Sequence, residues 1–264
     1  MSDRIRQVVI TASSVFMLVG TLFGIGVIGT RVEESAGGSL SATATLLAPA
    51  VRAFSIWSVI YAGLFAYVVW QWLPSNTRSP RARRIGWLAA ASMVLNGTWL
   101  LVTQAGQLWL SVVVIVALVA VLGELMRRLG PPRSAGQVEK LVVDGTFGLY
   151  LGWVSVATAA NITATLVASG VNPPPEIAEL WAVAVLAVAA AIGVTLARVL
   201  DGRLGVALAM GWGLTWIAVG RLAGEPASPL TGVAAAVSAA VVLTVTALIW
   251  LRRVGQVVPV HVHR

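Results

Sequence analysis

The chain contains no cysteine. That excludes disulfides, thiolate chemistry and cysteine-ligated metal sites, and it removes the usual clue to redox compartment. Histidine is nearly absent: His261 and His263, at the extreme C-terminus, are the only two. A solvated tail accounts for them, so a Ser/His/Asp catalytic set has no histidine to use. No P-loop or dinucleotide fingerprint is credible in this setting. Charge is scarce as well, at 11% of residues, against roughly 25% in an ordinary soluble chain. Lys140 is the single lysine. With the abundance of alanine and valine, that composition points to a GC-rich bacterial genome.

What the chain has instead is apolar surface. Hydrophobic residues make up 58% and the mean hydropathy is +0.88. A helix needs about 20 apolar residues to cross a bilayer. Eight stretches qualify, at about 8–28, 53–73, 85–102, 109–125, 143–167, 177–200, 204–219 and 230–250. The first is too long for the core of a signal peptide and is expected to stay as helix 1. A net charge of +8 would suggest nucleic acid on a soluble domain. Here the basic residues fall in short loops. Alternating eight spans puts Arg4, Arg6, Arg78, Arg81, Arg83, Arg84, Arg127, Arg128, Arg133, Lys140, Arg198, Arg203, Arg252, Arg253 and Arg264 on one side. Only Arg31, Arg52 and Arg221 remain for the other, the bias expected when the first group is cytoplasmic. The expectation is a multi-pass inner (plasma) membrane protein with both termini in the cytoplasm, the bilayer as its partner and no nucleic acid. Asn96-Gly97-Thr98 and Asn161-Ile162-Thr163 match the glycosylation pattern but lie inside spans.

Local signals qualify this frame. Residues 31–52 form the longest connection, either a slack loop or a lid over a site. Glu124 next to Arg127 and Arg128 reads as a local ion pair, and Asp144 as a carboxylate at the positive end of helix 5. Trp70 and Trp72 fit an interfacial aromatic belt. Gly205, Ala209 and Gly213 make a small-residue seam on helix 7, suited to close helix packing.

Polar residues inside the spans carry the functional signal. Trp153, Ala157 and Asn161 recur at four-residue spacing on one face of helix 5, with Thr158 close by. An amide in hydrocarbon is costly unless it finds hydrogen-bond partners. That face therefore looks at other helices or at a ligand with a polar tip. Helix 2 carries Trp57, Tyr61 and Phe65 at the same spacing, and helix 3 carries Asn96 and Trp99. Each patch alone reads first as bundle packing and only second as a pocket wall.

Together the three patches resemble the TspO/MBR family of translocator and tryptophan-rich sensory proteins. That family's second helix has a Phe followed by Trp-x-x-Leu-Tyr; here it reads Phe54-Ser55-Ile56-Trp57-Ser58-Val59-Ile60-Tyr61. Its third-helix Leu-Asn-x-x-Trp core is matched by Leu95-Asn96-Gly97-Thr98-Trp99. Its fifth-helix Pro-Tyr-Leu-Ala-Trp, followed by a Thr and an Asn, is similar to Leu149-Tyr150-Leu151-Gly152-Trp153, Thr158 and Asn161. Leu149 replaces the family's Pro, and the Trp-x-Pro-Pro stretch before helix 2 is reduced to Pro49. The resemblance covers about residues 8–168. It implies a TspO-like five-helix domain over 1–168; with the three further apolar runs as an extension over 169–264, the expected fold is an all-α integral membrane protein of eight transmembrane helices.

The resemblance further implies a ligand cavity among helices 1–5, covered by the helix 1–2 loop. Trp57, Tyr61, Trp99 and Trp153 would stack against the ligand, while Asn96, Thr158 and Asn161 would fix its polar end. No cofactor is required; a tetrapyrrole or a lipid would be the ligand, and a homodimer the implied assembly. The leading expectation is a binding protein, sensor or transporter for a hydrophobic molecule such as a tetrapyrrole or isoprenoid. A membrane enzyme acting on an isoprenoid is the second reading, through cation–π stabilisation in an aromatic cage. An assembly subunit that docks through the helix 7 seam is the third.

Overall fold

The computed structural model describes residues 3–130 and 136–255. Pro131, Pro132, Arg133, His261, His263 and Arg264 lie outside the described residues. Eight helices among those described are long and apolar enough to cross a membrane: α1 Asp3–Gly24, α2 Val51–Trp72, α3 Pro80–Gln104, α4 Leu108–Leu129, α5 Gln137–Ala168, α6 Pro175–Val199, α7 Leu204–Ala223 and α8 Pro229–Gly255. The protein is a multi-pass α-helical membrane protein.

Several helices extend beyond the expected spans, for local reasons. The side chain of Ser79 accepts from the Ala82 amide and Pro80 opens the helix, so α3 begins five residues before Ile85. Pro at the first helical position loses no hydrogen bond, because that N–H would be unpaired anyway. The last helix, α8, runs on past Trp250 to Gly255. By contrast α1 stops at Gly24, short of Ile28. There the chain turns through Gly26 and Gly29, both at φ 76°, and Ile25 bridges back to Arg31.

Helices α1 to α5 form a closed ring in the order α1, α3, α4, α5, α2. Where α1 meets α3, a Cβ on Gly20 would stand 2.9 Å from the Gly97 Cα, so the two backbones touch. The remaining helices attach through α7, which packs along α5; α8 packs on α7 and α6 on α8. The α5–α7 seam is glycine against glycine. A Cβ on Gly148 would meet Gly205 at 3.4 Å, and one on Gly213 would meet Val156 at 2.9 Å. The Gly205/Ala209/Gly213 seam is thus occupied by α5 of the same chain and is not open to a separate subunit. Small residues are used here because dispersion, not hydrophobic exclusion, holds helices together in lipid, and it needs close approach.

Three local readings change in the fold. Trp70 is 6% exposed and stacks on Tyr67, so it belongs to the core, while Trp72 stays exposed and donates to the Thr11 hydroxyl at 3.0 Å. Phe65 is 71% exposed. Four residues turn a helix by about 400°, so a four-residue stripe drifts by about 40° per step and leaves the inner face. Asp144 lies well inside α5, within a π-helical turn at Lys140–Gly145. It is held by cations and not by the helix end. Arg81 Nη2 donates to it at 3.0 Å, Arg203 pairs with it from the start of α7, and Arg81 also reaches Glu139 at 2.9 Å. The expected Glu124 pairs form, at 2.7 Å to Arg127 and 2.6 Å to Arg128.

Candidate functional site

The helix 1–2 connection is not slack. Thr45, Leu47, Ala48 and Pro49 are buried, and polar contacts tie the segment to the bundle. Arg221, near the end of α7, is 1% exposed. Its guanidinium donates to the carbonyls of Thr45, Ala42 and Glu225, each at 3.0 Å. The Ala50 amide donates to the Trp216 carbonyl at 3.2 Å, and Trp212 Nε1 to that of Ala53 at 2.8 Å. Gln104 holds the start of the connection through the Thr30 carbonyl. Arg221 carries this cover, and its role was hidden in the sequence. It read only as one of three arginines on the poorer side, because the carbonyls it binds lie 176 and 179 positions away.

Under the cover lies a small cavity of about 50 Å³, opening into a wider mouth. The loop contributes Ser39, Ser41, Thr45 and Pro49, the start of α2 Phe54, α3 Trp99, and α5 Trp153, Ala157 and Asn161. Small side chains at Ala157 and Ala160 leave the space. Ligand pockets are typically of this kind, apolar walls with a few polar tips.

The polar tips differ in their state. Trp99 Nε1 donates to Asn161 Oδ1 at 2.7 Å, and Asn161 Nδ2 donates to the Ser111 hydroxyl at 3.0 Å. That satisfies the amide internally and ties α3, α4 and α5 together. Trp153 is different. It is 1% exposed, yet its indole Nε1 has no hydrogen-bond partner. The Thr45 hydroxyl, also in the lining, is buried and unpartnered too. An unmet buried donor costs about 1–3 kcal/mol, so such groups call for a partner.

The seven expected ligand contacts therefore divide. Trp99, Trp153 and Asn161 line the cavity. Trp57 and Tyr61 lie behind it, stacked on each other at 5.1 Å, with Trp57 edge-on to Trp153 at 6.2 Å. Asn96 is fully buried and donates to the Tyr61 hydroxyl at 3.4 Å. Trp57 packs against Trp153, Tyr61 and Asn96 lie behind Trp57, and none of the three lines the cavity. Thr158 points its hydroxyl at the Val154 carbonyl of its own helix, 2.7 Å away, and is not in the lining.

The cover gives a direct prediction. Replacing Arg221 with glutamine removes the guanidinium that holds three carbonyls. Amide exchange over residues 42–47 should rise at least ~10-fold, the equivalent of one or two lost hydrogen bonds, while α1 and α4 keep their protection. Unchanged exchange in the loop would show that the buried side chains hold it alone.

Comparison with curated proteins and with solved structures returned no match. A family profile described as TSPO-like protein matches residues 7–249. The match runs through α6, α7 and α8 as well as the five-helix ring, so it takes in the three helices that the sequence motifs left out. A five-helix ring, a loop-covered cavity floored by Trp153 and Asn161, and a profile match over nearly the whole length lead to one conclusion: the chain belongs to the TSPO-like family.

Proposed function

We propose that this protein is a membrane-embedded binding protein, of the sensor or transporter type, for an apolar molecule that carries a hydrogen-bond acceptor, such as a tetrapyrrole or an oxygenated isoprenoid. The observation that supports this reading is Trp153, which lines the cavity and whose buried indole N–H has no partner. A ligand carbonyl or carboxylate would complete it. The flat faces of Trp99 and Phe54 and the small residues of α5 suit a planar or chain-like apolar body. The charge distribution supports placing the protein in a bacterial inner membrane, with both termini cytoplasmic and the covered cavity opening outward.

Protoporphyrin titrated into the purified protein in lipid nanodiscs, followed by tryptophan quenching, tests the reading. Trp153→Phe keeps an aromatic ring and removes the donor. It should weaken binding about 10-fold, the worth of one hydrogen bond in a dry site. Trp153→Ala should weaken it further. Equal affinity in wild type and in both variants would remove the cavity from consideration, and an oxygenated isoprenoid run in parallel separates the two ligand classes.

A further inference from the structure

A second and larger cavity lies outside the five-helix ring. α6 leans on α8 and touches α5 only lightly. The gap between α6 and the C-terminal half of α5 is a groove of about 410 Å³, closed at the loop end by residues 44–47. Its walls are apolar, with Leu166 on α5 facing Val185 and Trp181 on α6. Trp181 is 53% exposed, so the groove opens sideways to the bilayer.

One wall carries a charge. Glu179 lies early in α6 and lines the groove. The hydroxyl of Ser228 donates to Oε1 at 2.5 Å. Among the described residues no arginine or lysine pairs with Glu179, and Oε2 has no partner. The positive end of α6 accounts for part of its stabilisation. Arg221 is committed to carbonyls of residues 42, 45 and 225. A carboxylate facing an apolar, lipid-open groove is otherwise costly. The Thr45 hydroxyl, buried and unpartnered, lines this groove as it does the covered cavity.

We propose that the α5–α6 groove is a second binding site, for an amphiphile with an ammonium head. Its aliphatic body lies along Leu166 and Val185, and its nitrogen sits against Glu179 Oε2. Ammonium is the head that fits, because it supplies both the missing charge and donors to a carboxylate that accepts only. This site does not depend on the reading of the covered cavity.

The test uses the full chain in phosphatidylcholine nanodiscs, a lipid without a primary amine. The probe is octadecylamine with a photoreactive diazirine in its chain, and labelled peptides are mapped by mass spectrometry. Labelling is expected within residues 163–185, displaced by octadecylamine and not by octadecanol. Glu179→Gln should lower it about 10-fold, as loss of one charge-assisted hydrogen bond predicts. Ala178→Phe, which fills the groove from a partly exposed position, should lower it with the carboxylate intact. Trp153→Phe should leave it unchanged, which separates this site from the covered one. Labelling elsewhere, or equal labelling in both groove variants, overturns the proposal. Repeating the labelling with phosphatidylethanolamine distinguishes the source: competition assigns the site to a lipid headgroup, and persistence assigns it to a free amine.

Discussion

Gly152→Leu is expected to abolish the folded protein. An ideal Cβ at residue 152 would stand 2.2 Å from the Val206 carbonyl oxygen and 3.0 Å from the Ala209 Cβ. The first obstacle is backbone, so no rotamer change relieves it. α5 and α7 would have to separate, and with them the whole attachment of α6–α8. Overpacking usually costs about 1–3 kcal/mol and more where backbone must move. Total stabilities are only about 5–15 kcal/mol. Even Gly152→Ala should lower the thermal midpoint in detergent clearly. Gly123→Ala is the matched control, because a Cβ there meets nothing within 4 Å; it should leave the midpoint nearly unchanged. A monodisperse Gly152→Leu protein with a wild-type midpoint would mean that the seam is not as tight as described. The same seam explains a departure within the helix 5 motif. Where the similar family pattern has alanine, this chain has Gly152, and α7 occupies the space an alanine methyl would need.

The second large effect is expected at Asp144. Its side chain is 11% exposed, and those of Arg81 and Arg203 are 14% and 9% exposed. Asp144→Ala leaves Arg203 without an acidic partner and Arg81 with only Glu139. Removing one member of a buried ion pair costs about 3–5 kcal/mol, because the surviving charge stays desolvated. Two neighbours make the loss asymmetric. Arg203 Nη2 keeps the Gly130 carbonyl, and Arg81 keeps Glu139. The lower half of that range is therefore expected, read as the fall in thermal midpoint in detergent. Asp144→Asn, which retains an acceptor, should fall between wild type and alanine. Adding Arg203→Met to Asp144→Ala should recover part of the loss, since the stranded cation is then gone. If the double variant is no more stable than Asp144→Ala, the network contributes through packing and not through charge.

These two sites show how differently parts of the molecule were written into the sequence. The Glu124 pairs span three and four residues on one helix, and the sequence alone was enough to read them. Asp144 was legible only as an acid near a helix start. Its partners come from α3 and α7, 63 and 59 positions away. Among the site residues, the Trp99–Asn161 link follows from the need to satisfy a buried amide, a constraint that any sequence in lipid must meet. The spacing of Trp57, Tyr61 and Phe65 could not decide which of them faces inward. Helical drift along α2 sent Phe65 outward, and the other two do not line the cavity. Thr158 lies outside the cavity lining for a different reason: a hydroxyl in a helix can bond its own preceding turn and need nothing else.

By itself the sequence determined the architecture in the membrane. Runs of about 20 apolar residues have only helices as a solution in lipid, and eight such runs with their order and connecting loops follow from composition. It also determined where polar groups must be satisfied internally, as Trp99 and Asn161 satisfy each other. The tertiary structure alone decided which helices touch. It set the α7 seam against α5 rather than against another subunit, because backbone clearance depends on crossing geometry and not on residue type. It turned the 31–52 connection into a cover through Arg221. It also left the Trp153 N–H and one oxygen of Glu179 unmet, and these are the two features on which the binding proposals rest. Such vacancies are properties of space between elements distant in the chain, and no periodicity along a single helix encodes them.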